Sequence, residues 1–331
     1  MTAEAEVKTS TLFRFNQSVS NRASRFRDYG IVIALVGLVV ALSATTSTFL
    51  TSSNLINVLD QTAVIGLLAT GATVCILSGV FDLTAGATVS LSAVIGVEVM
   101  RQTSIAIGFT TAVAVGAGLG FVTGTVVVRG GVNSFIATLA TSIVYDGLAV
   151  VATGGAIIYP LTSQSENFGA LTWPSLFHLT SATIMFIAVV SVIGVVVAMT
   201  TFGRRSYAVG GNREAARLSG VRVGSIHVSV YVLSGICSAL AGLILASRAG
   251  SAQSAMDSDG ALTAIAAAVI GGTSILGGEG AVWRGVVGAL ILTLIGNGFN
   301  LLGWDTTYQQ VVQGCLILFA IIMDRLLRKR S

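Results

Sequence analysis

The chain has 331 residues, 53% of them hydrophobic and only 10% charged, with a mean hydropathy of +0.87. A soluble domain carries about 25% charged residues, so the polar side chains are too few to coat a water-soluble globule, and the composition reads as an all-α polytopic membrane protein. The net charge of +4 does not signal nucleic-acid binding, because the basic residues fall in short segments between apolar runs rather than on one face.

Residues 1–28 are polar and basic, with Lys8, Arg14, Arg22, Arg25 and Arg27, and read as a terminal segment that can lie against an anionic membrane leaflet. The first apolar run, 29–50, lacks a convincing cleavage site and reads as a retained helix. Further runs lie at 55–79, 82–100, 104–128, 132–153, 181–201, 225–247, 261–276, 282–302 and 307–325. A span needs about 20 residues. The run at 261–276 is short and carries Gly271-Gly272 and Gly277-Gly278, the pattern of a broken or re-entrant helix. The expectation is therefore about ten transmembrane helices within 29–325, one or two of them broken, and a short tail at 326–331.

Charge tests that threading. With the N-terminus in the cytoplasm and ten spans, sixteen of the eighteen basic residues fall inside: the five before the first helix, Arg129, the five from Arg204 to Arg222, Arg284, and Arg325, Arg328, Lys329 and Arg330. Only Arg101 and Arg248 stay outside. This bias agrees with both termini being cytoplasmic, whereas nine spans would put the basic tail outside. The outer surfaces are then the loop 154–180, with Tyr159, Pro160, Glu166, Trp173 and Pro174, and the loop 248–260, with Asp257 and Asp259.

Thirty-nine glycines against two prolines suit membrane helices packed closely enough for backbones to approach. Gly79, Gly86 and Gly96 share their spacing with Gly271, Gly278 and Gly288, which suggests an internal repeat. Cys75, Cys237 and Cys315 all sit in apolar runs and read as small buried hydrophobes. His178 and His227 stand alone, without metal-ligand spacing.

Five polar stretches interrupt or decorate this pattern. In Ser78-Gly79-Val80-Phe81-Asp82-Leu83-Thr84-Ala85-Gly86, the glycines permit a break in helical backbone. Asp82 can cap the helix that follows or act on a passing solute. In Asn133-Ser134-Phe135-Ile136-Ala137-Thr138-Leu139-Ala140-Thr141, Thr138 and Thr141 can bond a carbonyl one turn back or a solute hydroxyl. Asp146 follows in the same run, and a carboxylate within a span marks a functional site by default. The segment Thr201–Gly224 is a polar island with Arg204, Arg205, Arg213, Arg217 and Arg222. Within it, Asn212 is an N-cap, Arg213–Ser219 is helix-prone, and Gly220 is a stop. Last, Asn297 and Asn300 are three apart, share one helix face, and can present carboxamides to hydroxyls or to a neighbouring helix.

Taken together these stretches resemble the permease subunits of bacterial ABC importers for monosaccharides of the ribose, xylose and galactose type. The resemblance runs from about Asn54 to Asp324. It rests on Gly211-Asn212-x-x-Ala215-Ala216-Arg217-x-Ser219-Gly220-Val221, similar to the family's coupling-helix segment. It rests also on Asp82-Leu83-Thr84-x-Gly86, on Phe135-Ile136-x-Thr138-Leu139-x-Thr141, and on the near-continuous glycine-rich stretch from Ile265 to Gln310. Ser78 and Thr84 replace a glycine and a serine of the family pattern. Asp146 stands where arginine is common, and Ala261 where an acid is frequent.

The resemblance implies a type II importer-like fold. Asn212, Arg213, Glu214, Ala215, Ala216, Arg217, Ser219 and Gly220 would dock on a cytoplasmic ATPase through a coupling loop at 202–224. Asp82, Asn133, Thr138, Asp146, Asn297 and Asn300 are the candidates for the solute pathway. Implied partners are two ABC ATPase subunits, a periplasmic or lipid-anchored solute-binding protein, and a second permease chain, identical or paralogous. The chain itself would be no enzyme and bind no cofactor. It has no Gly-x-x-x-x-Gly-Lys-[Ser/Thr] and only two lysines, Lys8 and Lys329, so ATP and magnesium belong to the partner. A branched-chain amino-acid ABC permease shares the architecture. An ion-coupled secondary transporter would instead draw on Asp60, Asp82, Glu98 and Asp146.

Overall fold

The computed structural model describes residues 30–176, 179–305 and scattered positions between 308 and 318. The basic N-terminal segment, His178, and the tail after 318 lie outside the described residues. The helices are α1 (Gly30–Thr45), α2 (Ser52–Leu77), α3 (Ala85–Gln102), α4 (Ile105–Gly130), α5 (Ser134–Thr153), α6 (Thr162–Gly169), α7 (Ser181–Met199), α8 (Thr201–Gly211), α9 (Arg213–Leu218), α10 (Val223–Ala249), α11 (Gly260–Ile270) and α12 (Val282–Leu301). The chain is an all-α polytopic membrane protein. Its only paired strands among the described residues are the short β1 (Pro174–Leu176) and β2 (Leu179–Thr180).

Nine of the ten apolar runs coincide with helices, α1 to α5, α7 and α10 to α12. The tenth, 307–325, falls largely outside the described residues. Six helices (α2, α4, α5, α7, α10 and α12) are long and apolar enough to cross a membrane. The run at 261–276 forms a helix of only 11 residues, stopped after Ile270 where Gly272 and Gly277 take positive φ.

α2 and α10 form the middle of the bundle and are the most buried of the six spans. α4 lies antiparallel on α10 with backbones in contact. A Cβ at Gly116 would sit 2.4 Å from the Gly235 carbonyl oxygen, and one at Gly235 would sit 2.1 Å from that of Gly116. Small residues permit this approach, and dispersion across it replaces a hydrophobic drive that lipid cannot supply. α12 lies antiparallel to α2, joined by two hydrogen bonds between carboxamides: Asn54 Nδ2 donates to Asn297 Oδ1 (3.1 Å) and Asn297 Nδ2 to Asn54 Oδ1 (2.7 Å). α7 starts against α2 through buried Asp60, which accepts from the hydroxyls of Thr180 and Thr183.

Successive helices alternate in direction, so the 201–224 segment shares one end of the bundle, the island end, with the C-termini of α2 and α4 and the N-terminus of α12. Arg129 and Arg284 lie there too, while Arg101 and Arg248 close α3 and α10 at the opposite end.

The loop 154–180 is not a simple linker. α6 and one 3₁₀ turn fold back over the opposite end. Phe168 is buried there, its carbonyl accepts from Ser247 Oγ (2.7 Å), and Gln164 Nε2 donates to the Met100 carbonyl (2.8 Å). Ile158 and Ala252 exchange a pair of backbone hydrogen bonds, which ties this loop to the 250–259 loop. Of the cysteines, Cys75 and Cys237 are buried as the sequence suggests, but Cys315 is exposed. The glycine spacing does not mark a structural register either. Gly86 lies inside α3, whereas its supposed counterpart Gly278 lies in a non-helical loop.

Two predictions concern stability. In a double-mutant cycle, Asn54→Ala and Asn297→Ala each lower Tm in detergent, with a coupling of about 1 kcal/mol; strict additivity would show that the pair holds nothing together. Asp257, in the loop before α11, has its carboxyl pushed up to about 6 by burial and by the neighbouring Asp259. A carboxyl raised in the folded state destabilises it progressively as pH rises from the ordinary value of 3.8 through the folded one. Asp257→Asn therefore raises Tm more at pH 7.5 than at pH 5, read by thermal melts at both.

Candidate functional site

The island folds into two helices rather than one. α8 continues from α7 after a tight turn and buries Gly203, Ser206 and Val209 on one face. α9 is six residues long, and only Ala216 of it is buried. Asn212 caps α9, its Oδ1 accepting from the Ala215 N–H at 2.9 Å. At the other end Val221 N–H bonds the Ala216 carbonyl and Gly220 N–H that of Arg217, with Gly220 at φ +82°. This is the Schellman arrangement, and its left-handed position favours glycine.

The rest of α9 faces solvent. Glu214 and Arg217 pair at 2.5 Å, both about two-thirds exposed. The Arg217 guanidinium holds the Glu214 carboxyl below its ordinary range by hydrogen bond and charge. Such an exposed pair adds little stability, but it fixes the two side chains relative to each other. Leu218 is 78% exposed, and Arg213, Arg217 and Arg222, close to it in sequence, are exposed as well. A short capped helix with one uncovered leucine and a basic rim is shaped to meet another surface.

What lies behind α9 gives the site its reach. α8 ends in Gly210-Gly211, pressed against two non-helical loops, 78–84 and 271–281. A Cβ at Gly210 would sit 1.9 Å from the Leu77 carbonyl oxygen and 2.7 Å from the Gly278 nitrogen. The Gly278 N–H donates to that same Leu77 carbonyl at 3.0 Å. Gly277, at φ +85°, lies over Gly79, so a Cβ there would be 3.1 Å from the Gly79 Cα. Tyr207 Oη adds a hydrogen bond to the Gly280 carbonyl (2.8 Å), and His227 Nε2 donates to the Ser78 carbonyl (3.2 Å). The end of α2, the loop after α11 and the end of α8 thus meet at one glycine contact, two residues before the Asn212 cap.

The pathway candidates do not form one cluster. Asp82 is buried beside the same junction. It accepts from Thr84 N–H (2.9 Å) and Thr84 Oγ1 (2.5 Å), and Thr84, not Asp82, is the N-cap of α3. Asn133 caps α5, accepting from Phe135 N–H at 2.9 Å. Thr138 donates to the Ser134 carbonyl one turn back (2.8 Å), and Thr141 does likewise to Ala137. Asn297 and Asn300 do not work as a pair: Asn297 is buried against Asn54, while Asn300 is exposed. Asp146 stands apart, further along α5, lining a cavity of about 360 Å³ at the opposite end from the island. Of the other acids, Glu98 is taken up by Arg101 and Gln102 at the surface.

Sequence reading missed α8 and with it Tyr207 and Gly210. A signal was present: Gly203, Ser206 and Gly210 sit at i, i+3 and i+7, a line of small residues on one helix face. The two strong breakers Gly210-Gly211 and the density of arginines hid it.

Comparison with known proteins places these features. Residues 54–321 match the family model described as "Branched-chain amino acid transport system / permease component". The ribose import permease protein RbsC of Bacillus subtilis is 40% identical over 300 residues, covering 89% of this chain and 92% of the relative. RbsC of Escherichia coli K12 is 37% identical, covering 88% and 92%. The L-arabinose transport system permease protein AraH of the same strain is 35% identical, covering 91% of each chain. No solved structure matches. The matched span, with relatives aligned over nearly their whole length, shows that this chain belongs to the family of transport-system permease components.

Proposed function

We propose that the chain is the membrane-spanning permease subunit of an ABC importer for a monosaccharide or a related small polar solute. The relatives at 33–40% identity carry the names of ribose, arabinose and allose permeases, which favours a sugar over a branched-chain amino acid. The observation that carries the reading is the placement of α9: an exposed, capped helix whose neighbour α8 ends on the contact between Leu77 and Gly278. A push on α9 moves the two loops that interrupt helical backbone, 78–84 and 271–281, where they meet at the end of α8. That is how closure of a separate ATPase dimer would reach the spans.

In this reading the island end is cytoplasmic, since it gathers the arginines, and both termini lie on that side of the inner membrane. α1, α3, α11 and the run at 307–325 complete about ten membrane segments of a type II importer. Residues 29–325 form the permease domain, with 1–28 and 326–331 as terminal segments. Asn212 to Gly220 dock on the ATPase. ATP and magnesium act there, and this chain binds neither. A solute-binding protein docks on the 154–180 and 250–259 loops, and a second permease chain completes the pathway.

Reconstituted with its cognate ATPase, the permease should hydrolyse ATP several-fold faster when a sugar-loaded binding protein is added. Failure to assemble with any ATPase, or uptake that survives its removal, would instead mean an ion-coupled carrier. Within the assembled importer, Glu214→Arg and Gly220→Pro abolish uptake while the protein remains inserted, because a two-turn docking surface tolerates neither charge reversal nor a broken end. Gly210→Ala leaves α9 intact but forces α8 off the Leu77 carbonyl. It should keep ATPase binding and lose the coupling of hydrolysis to uptake; unchanged uptake in that variant would remove the junction from the mechanism.

A further inference from the structure

The cavity at the end opposite the island has three walls. α3 and the residues just before it supply Leu83, Gly86 and Ala87. α5 supplies Ser142, Asp146, Gly147 and Val150. The segment leading into α11 supplies Ser254, Ala255 and Ser258, and the first turn of α11 supplies Ala261. The third wall is held in place. Met256 N–H donates to Ser90 Oγ at 3.1 Å, and the Asp257 carbonyl oxygen lies so close to α3 that a Cβ at Gly86 would come within 2.3 Å of it. The strand-like contact between Ile158 and Ala252 ties the same loop on its other side.

Asp146 is the thirteenth of the twenty residues of α5, in the half of the helix away from the island. Its neighbours Ile143, Val144, Leu148 and Val151 are exposed large apolar residues, as expected of a lipid- or protein-facing surface. A carboxylate in that position is costly unless it meets water or a polar partner. Among the described residues its carboxylate has no hydrogen bond or ion pair, and neither have the hydroxyls of Ser254 and Ser258. Ser142 Oγ donates to the Leu139 carbonyl (2.8 Å) and keeps its acceptor capacity. The 250–259 wall is therefore held to α3, while Asp146 and Ser258 lie exposed and, with Ser254, make no hydrogen bond among the described residues.

A volume of about 360 Å³ suits a small ligand. A lone carboxylate facing hydroxyls, with no cation beside it, selects against anions. It favours a neutral molecule with adjacent hydroxyls, two of which can donate to one carboxylate in the strong charge-assisted mode. We infer that this cavity is a station for a neutral polyol on its way through the permease, with Asp146 as the acceptor for a pair of vicinal hydroxyls and Ser142, Ser254 and Ser258 as its remaining polar contacts. The inference rests on the importer reading above and adds to it a residue that touches the solute inside the membrane protein. Asp82, Thr138 and Asn297, whose polar groups are already bonded within the fold, are not part of this station.

Gly147 makes a direct test possible. It lines the cavity, and an added Cβ there meets nothing within 4 Å, so a side chain enters the cavity without disturbing the helix. With Cys315→Ser removing the exposed thiol, Gly147→Cys should react with a charged, water-soluble thiol reagent. Ribose, arabinose or allose, tried one at a time with the loaded binding protein and ATP, should slow that reaction at least several-fold. In the complete importer, Asp146→Ala should lower uptake about tenfold or more, the loss of a hydrogen bond to a charged group. Binding-protein-stimulated ATP hydrolysis should stay within about twofold of the parent, since α9 is untouched. Gly147→Phe should block uptake with hydrolysis likewise retained. If the thiol introduced by Gly147→Cys does not react, or reacts without protection by any of the sugars, the station is overturned. Full uptake in Asp146→Ala overturns it equally. The importer reading fails separately, by the absence of any stimulated hydrolysis in the parent protein.

Discussion

The approach of three backbone segments at Gly210, Leu77 and Gly278 is the constraint on which the rest of the structure depends. The Leu77 carbonyl, at the end of α2, accepts from the Gly278 N–H and lies under the Cα of Gly210. No side chain fits between them, so the three segments can separate only by breaking the contact, and they move together while it holds. Because α2 is the most buried span, anything that displaces its end displaces the centre of the bundle. α9 begins three residues after Gly210 and has almost no burial of its own. It is therefore held to the core through its neighbour and free to be held by something else on every other side.

The bundle around this contact is built for close packing. α4 on α10 and α12 on α11 meet at glycines where a Cβ would strike backbone at about 2 Å. Such contacts give a membrane protein its cohesion without requiring polar groups in lipid. The few polar bonds between spans have definite places. The Asn54–Asn297 pair locks α12 to α2, and Asp60 with Thr180 and Thr183 locks the start of α7. Both lie toward the end away from the island. The island end is held instead by backbone contacts and by Tyr207 and His227 reaching loop carbonyls. Glycine contacts occur at the far end too, as between Gly96 and Gly108, but there the side-chain amides and the Asp60 carboxylate add to them.

The cavity at Asp146 shows the complementary property. Its third wall is held to α3 by the hydrogen bond from Met256 N–H to Ser90 Oγ, while Asp146, Ser254 and Ser258 make no hydrogen bond among the described residues. A held wall facing accessible polar groups that the fold leaves unbonded is the general form of a site for a polar ligand, because the ligand then supplies what the fold withholds. The exposed apolar residues around Asp146 on α5 also limit what can cover that face, since lipid would leave the carboxylate stranded.

The sequence by itself determined the class of the protein and most of its helices. The low charge content, the lengths of the apolar runs and the one-sided distribution of arginines follow from what a bilayer demands of any chain, and these are local quantities. The α9 segment was legible for the same reason: an N-cap, a helix-prone heptad and a stop glycine act through their immediate neighbours, and Asn212 and Gly220 do in the structure what their residue types require. What the tertiary structure alone decided concerns partners distant along the chain. Asn297 could have faced a solute or another helix, and only its meeting with Asn54, 243 residues earlier, settles that it binds α2. Thr138 and Asp82 were legible as polar groups in spans but not as groups already bonded to Ser134 and Thr84. The glycine junction was invisible because glycine spacing carries no record of which backbone will lie opposite. Gly79, Gly210 and Gly278 look alike in a chain of thirty-nine glycines, and only packing brings these three together.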